Sequence, residues 1–285
     1  MTSVALASNT RIRLSGSLAT LAAAALFCAI STPVLAQWLK YPTAGAPHKS
    51  NGTPNLEAPA PRTTDGRPDF SGMWAPEDNL PCPPGGCLDM RVPKEFVNIG
   101  WSLEGGRPPY QRWAADLVKR RLAENGKDDP ASHCLPRGVV KGHTTPLLRK
   151  VVQVPGLLVI LSEANASYRQ IFTDGRALPA DPQPSWNGYS SAKWEGDDLV
   201  VKTNGFRDEM WLDRWGSPMT DAAEMTERFR RVNYGKLDID LTINDPKAYT
   251  KPWTVRLHQV IVLDTELLDY ICLENEKSLS HMVGK

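Results

Sequence analysis

From Leu147 onward the chain breaks into short runs of Val, Ile and aromatic residues, separated by turn signals roughly every ten residues. That rhythm constrains the fold more than any other feature. It predicts strands at 147–153, 157–163, 167–173, 187–194, 198–204, 223–232, 236–244, 252–262 and 266–273. The connections read as turns: Val154-Pro155-Gly156, Ala164-Asn165, Glu195-Gly196-Asp197-Asp198, Asn233-Tyr234-Gly235 and Leu263-Asp264-Thr265. Hairpins between sequence neighbours make an antiparallel up-and-down meander the economical topology, and closing it into a barrel removes its edges. The expectation is a mainly β protein whose sheet forms a barrel-like cup.

Side chains alternate across a strand, so parity assigns faces. Leu237, Ile239, Leu241 and Ile243 fall on one side of their strand, with Asp238, Asp240, Thr242 and Asn244 on the other. The run Leu157 to Leu161 is apolar throughout, which predicts cover on both faces.

The first half of the chain has another character. Sixteen of the 24 prolines lie between Gln37 and Pro146, and proline supplies no backbone N–H for a ladder. Residues 37–68 read as an extended proline-rich arm. Residues 69–285 read as a single antiparallel β domain carrying a loop and helix insertion at about 75–146. One helix is expected there, with Pro109 in its first turn, Tyr110, Trp113, Leu117 and Arg121 on one face, and Asn125-Gly126 as its stop.

Residues 1–36 read as a cleavable secretory signal. Arg11 and Arg13 are their only charges, an apolar stretch follows from Leu18 to Ile30, and Val34-Leu35-Ala36 supplies a small-residue cleavage site. A spanning helix needs roughly 20 apolar residues, more than this stretch holds, and no second stretch of spanning length follows. The expected location is periplasmic or secreted, with no integral membrane segment after cleavage. The chain has 33 Lys and Arg against 32 Asp and Glu, and the leader takes two of the cations, leaving a formal −1. Such a balance gives no electrostatic case for nucleic acid. An oxidising compartment makes Cys82, Cys87, Cys134 and Cys272 read as two disulfides, Cys82–Cys87 across a short turn-rich loop and Cys134–Cys272 across a long one. Their spacing contains no CxxC pair, so no metal site is expected.

Three strings, RQIFTDGR (169–176), WEGDDLVV (194–201) and DPKAYTKPW (245–253), resemble a widespread family of secreted bacterial hypothetical proteins, over Pro68 to Lys285. The resemblance implies membership and assigns no activity. Gly72-Met73-Trp74 also resembles the Gly-x-Trp opening of lipocalin-like (calycin) barrels. That likeness implies a tryptophan plugging one end of a cup that holds an apolar ligand.

Known catalytic motifs are missing. There is no Gly-x-Ser-x-Gly elbow, no HExxH among His48, His133, His143, His258 and His281, no P-loop and no dinucleotide fingerprint. No cofactor is expected. What remains is polar residues on strands. Glu227 shares parity with Met225 and Phe229, so a core-facing carboxylate is expected, and it needs a partner such as Arg169 or Arg176. Arg228 and Arg230 have the opposite parity. His143 becomes a general base if a carboxylate lies nearby. Tyr168, Arg169, Gln170, Asp174, Arg176, Tyr189 and Trp194 are the candidate ligand contacts, on or beside two neighbouring strands with surplus aromatics. Asp174-Gly175-Arg176 reads first as a hairpin turn, with Asp174 and Arg176 as ligand gates at the barrel rim the second reading. Three functions follow: a secreted binding protein for an apolar or aromatic small molecule; a cofactor-independent lyase, isomerase or hydrolase in the same cavity, with Glu227 or His143 as base; or an envelope structural or assembly protein. The sequence specifies neither the ligand nor the oligomeric state.

Overall fold

In the computed structural model, which describes residues 41–80 and 92–274, the chain divides after Tyr41, and the unit from Pro42 on holds the fold. The expected signal, the Cys82–Cys87 bridge and His281 lie outside the described residues. The strands are β1 (Gly72–Pro76), β2 (Arg149–Val154), β3 (Leu157–Ser162), β4 (Ser167–Phe172), β5 (Tyr189–Glu195), β6 (Asp198–Asn204), β7 (Met210–Trp211), β8 (Pro218–Met219), β9 (Glu224–Arg231), β10 (Lys236–Asn244) and β11 (Trp253–Ile261). Nine of them close a barrel in the order β1-β11-β10-β9-β6-β5-β4-β3-β2, while β7 and β8 pair only with each other. The protein is mainly β, with short helices α1 (Lys94–Val97), α2 (Arg112–Ala123) and α3 (Gly138–Thr144).

Alternation builds the core as parity requires. In β10 the four aliphatic residues from Leu237 to Ile243 are buried and the polar residues between them are not. In β3 Leu158 and Ile160 point inward, whereas Leu157, Val159 and Leu161 are only half-buried outside, so the cover expected over that run is partial.

Three expectations need correction. β4 and β5 pair in parallel, through Ile171 with Ser190 and Phe172 with Ser191, so the meander is broken at one seam. Parallel neighbours need a long crossover, and residues 173–188, with Pro179, Pro182 and Pro184, supply one that cannot fold back as a hairpin. Residues 266–273 are not a strand. Their backbone pairs with the barrel only in the bridge of Tyr270 to Ala164, and side chains add further contacts, Glu266 with Lys150, Glu163 with Leu268 N, and Cys272 in its disulfide with Cys134, so the ninth barrel strand is β1 instead. Finally, Pro109 lies outside α2, because residues 109–111 are held extended against the 248–250 loop: Gln111 N donates to Ala248 O (2.7 Å) and Thr250 N to Pro109 O (2.8 Å). The buried stripe of α2 is Ala114 and Val118, and Trp113 stays 47% exposed.

The two barrel ends are closed differently. At the end carrying the β2–β3, β5–β6 and β9–β10 turns lies the segment 42–71. Tyr234 N donates to Ala58 O (2.8 Å), and Arg62 pairs with Asp197 at 2.6 and 3.0 Å. Phe70 is fully buried there, stacked on Trp194 (5.7 Å between centroids) and edge-on to Phe229 (6.1 Å). Trp74 is buried beside it, donating Nε1–H to Phe70 O (2.9 Å). At the opposite end α3 caps the interior with Val139 and Val140. Its first residue must be glycine. Gly138 has φ +72°, the left-handed region that other residues rarely adopt, and a Cβ there would also crowd the Trp186 carbonyl oxygen at 3.0 Å.

Candidate functional site

Seven residues from six strands and α3 meet inside the barrel below α3. Parity carries the strand residues inward: Arg149 with Val151 on β2, Arg169 with Ile171 on β4, Ser190 with Ala192 on β5, Thr203 with Leu199 and Val201 on β6, Glu227 with Met225 and Phe229 on β9, and Gln259 with Val255 and Leu257 on β11. α3 adds His143.

Glu227 is the hub and is fully buried. Arg169 Nη1 donates to its Oε1 (3.0 Å) and Nη2 donates to Oε2. His143 Nε2 donates to Oε1 at 2.8 Å. Behind the pair, Arg169 Nε donates to Ser190 Oγ (3.2 Å) and Nη2 to Thr203 Oγ1 (3.0 Å), and the two hydroxyls lie 3.0 Å apart. All three guanidinium nitrogens are therefore engaged.

The electrostatics follow from these contacts. Burial pushes the Glu227 carboxyl up, but Arg169 and His143 outweigh it and hold the group down at about 2. Burial pushes His143 below its ordinary value, against the pull of Glu227. At neutral pH the carboxylate is thus ionised and the imidazole neutral. An ionised carboxylate only accepts, so Nε2 carries the proton and Nδ1 is an open acceptor with no hydrogen bond among the described residues. The edge of His143 packs on Phe229 (5.9 Å), and its carbonyl accepts from Gln259 Nε2 (3.2 Å), which fixes the ring.

Arg149 completes the group. It donates to Gly142 O and to Gln259 Oε1, both neutral acceptors, and burial pushes its guanidinium down to about 9.

No protein-family model matches the chain, and no curated protein matches it. What the site can do therefore rests on its chemistry.

A cavity of about 50 Å³ lies against this cluster, between α3 and strands β2 to β4, lined by His143, Arg149, Arg169, Arg137, Ile160 and Tyr168 among others. At roughly 10–15 Å³ per water it holds a few waters or a small polar head group. A second, larger cleft of about 560 Å³ lies at the arm end, between residues 63–67 and the β2–β3 turn, with Trp194, Leu158 and Leu199 in its wall.

The candidate residues therefore divide. The structure joins Glu227, Arg169 and His143 directly and places Tyr168 at the cavity lip, 63% exposed. Gln170 points to solvent on the outer face of β4. Asp174 and Arg176 pair with each other (2.5–2.9 Å) outside the barrel, where Arg176 lies 3.8 Å over the Phe172 ring and Phe172 stacks on Tyr189 (5.3 Å). Trp194 belongs to the arm end. Four partners went unread in the sequence: Arg149, Ser190, Thr203 and Gln259. Each sits on the apolar parity of its strand, the signal that exposed Glu227. Among the described residues no cluster of three His, Cys, Asp or Glu is arranged to hold a metal.

Proposed function

We propose that this chain is a periplasmic or secreted small-molecule binding protein of the exported bacterial family its motifs resemble, seating the polar end of its ligand against the interior cluster below α3. The observation that carries this reading is the buried Glu227–Arg169 ion pair, with neutral His143 bonded to it, beside a cavity inside the barrel. Taking charges out of water costs several kcal/mol per ion, and an apolar interior of the same shape is often more stable. Function explains their retention at a cavity. The Cys134–Cys272 disulfide supports an oxidising compartment. No helix among the described residues is long and apolar enough to cross a membrane.

Native mass spectrometry of the protein purified from its own periplasm tests the reading. The expected result is a retained small molecule released on unfolding and absent from Glu227→Gln. A wild-type chain that carries no adduct and binds no member of a fragment library overturns it.

One observation favours a second reading, that of a cofactor-independent lyase, isomerase or hydrolase. His143 has its Nε2–H oriented by a carboxylate and its Nδ1 open, as a general base requires. Incubating the retained compound with the protein separates the two readings. Turnover abolished by His143→Phe supports catalysis, and an unchanged compound supports binding alone.

A further inference from the structure

We propose that the cavity below α3 is an anion site that takes the carboxylate head of a small organic acid, held by Arg149 and Arg137. The proposal rests on the binding reading above and names the ligand's charge class.

Charge balance within the wall points to it. Three arginines line the cavity, Arg137, Arg149 and Arg169, and no Asp or Glu does. Arg169 is already neutralised by Glu227. Arg149 is 4% exposed and meets only a backbone carbonyl and an amide oxygen, so among the described residues its charge has no carboxylate partner. Arg137 is half-buried, and among the described residues its one hydrogen bond is a long one to Thr145 Oγ1 (3.4 Å). The neighbouring acid Asp129 is committed to Lys141 at 2.6 and 2.8 Å. Arg149 thus faces this small volume with no counter-charge among the described residues, and Arg137 with only the pull of an Asp129 already bonded to Lys141, an arrangement that costs free energy until an anion enters.

Shape narrows the class. A guanidinium fork matches a planar carboxylate with two parallel N–H···O bonds. The rest of the wall mixes apolar residues, Val139, Ile160 and Ala164, with the uncharged polar Ser162 and Ser167. A volume of about 50 Å³ admits a head group and a few carbons, and the body of the ligand then lies at the lip beside Tyr168 and Asn187.

Isothermal titration of the full chain with benzoate and hexanoate, and with the neutral isosteres benzamide and hexanamide, tests the assignment. The acids are expected to bind at least tenfold tighter than the amides, to weaken with added salt, and to lose tenfold or more in Arg149→Met. Arg137→Gln, on the half-exposed edge of the site, is a second variant should Arg149→Met fail to fold, and the same loss of preference for acid over amide is expected of it. Amides that bind as well as the acids, with both variants unchanged, overturn the charge assignment and leave the binding reading standing. A chain that binds none of the four overturns the anion assignment, and the binding reading falls with it only if the native protein also carries no adduct and binds no library fragment.

Discussion

Each end of the barrel buries an arginine, and the two are treated in opposite ways. At the arm end Arg231 donates to the carbonyls of Asp69, Ser71, Asn233 and Tyr234 and lies over the rings of Trp74 (4.9 Å) and Tyr234 (5.5 Å). These four bonds tie the segment before β1 to the β9–β10 turn. At the helix end Arg149 has two neutral acceptors and an adjacent cavity. A buried cation whose donors are met by the chain itself is a clasp. One whose donors stay open is a receptor. The larger cleft is at the clasped end, so volume alone points away from the side where the open chemistry is.

The sharpest way to separate the ends is to remove what holds each. The disulfide between Cys134, just before α3, and Cys272 closes a loop with a sequence separation of 138 residues. The chain-entropy model then gives about 4 to 5 kcal/mol. The double serine variant is expected to lose that amount in urea unfolding and to expose α3 first in hydrogen exchange. Equal exposure of both ends would show that the disulfide does not fasten the helix end. At the arm end Phe70→Ala should cost about 3 to 5 kcal/mol through the void left against Trp194 and Phe229. It should leave ligand retention intact. Lost retention would mean that the arm end holds the ligand.

Protons distinguish the ends next. The Glu227 carboxyl is depressed from 4.5 to about 2 in the folded state, so the unfolded chain binds its proton first. The stability it contributes is full above about pH 4.5 and is lost as pH falls toward 2, on the order of 3 kcal/mol. His143 is also depressed, so it removes stability earlier, as pH falls below its ordinary value of 6.5. Acid melts should therefore show two steps, and His143→Phe should erase the upper one while Phe70→Ala changes neither. A single step near pH 4 in the wild type would remove His143 from the coupled group.

The smallest expected effect is the most direct test of clasp against receptor. Arg231→Met should cost about 2 to 3 kcal/mol by stranding four carbonyls, whereas Arg149→Met should cost only about 1 kcal/mol, since it strands two acceptors but also removes a buried charge with no counter-charge among the described residues. Equal losses in chemical denaturation would erase the distinction.

How much of this was legible depended on range. The inward stripe of β10 and the inward Glu227 are local, set by the two-residue period and by Met225 and Phe229 on either side. Nothing local announces that Arg169 lies across the interior from it, 58 residues away in sequence, or that His143, 84 residues away, descends from α3. The parallel seam was hidden because a proline-punctuated crossover and a loop look alike. The run 266–273 reads as a strand from its apolar content, although its backbone pairs only at Tyr270 and its apolar side chains stay outside, with Leu268, Ile271 and Leu273 all exposed.

β1 has a consequence for the order in which the barrel assembles. Its two neighbours are β2, through Trp74 with Arg149, and β11, through Trp74 with Ile261. A chain that emerges N-terminus first therefore presents this strand long before its second neighbour exists, while the β2–β3–β4 hairpins form from adjacent residues. Sequence separation of that size slows closure. The last strand made completes the ring around the first, and until it arrives neither the cavity nor its seal is whole.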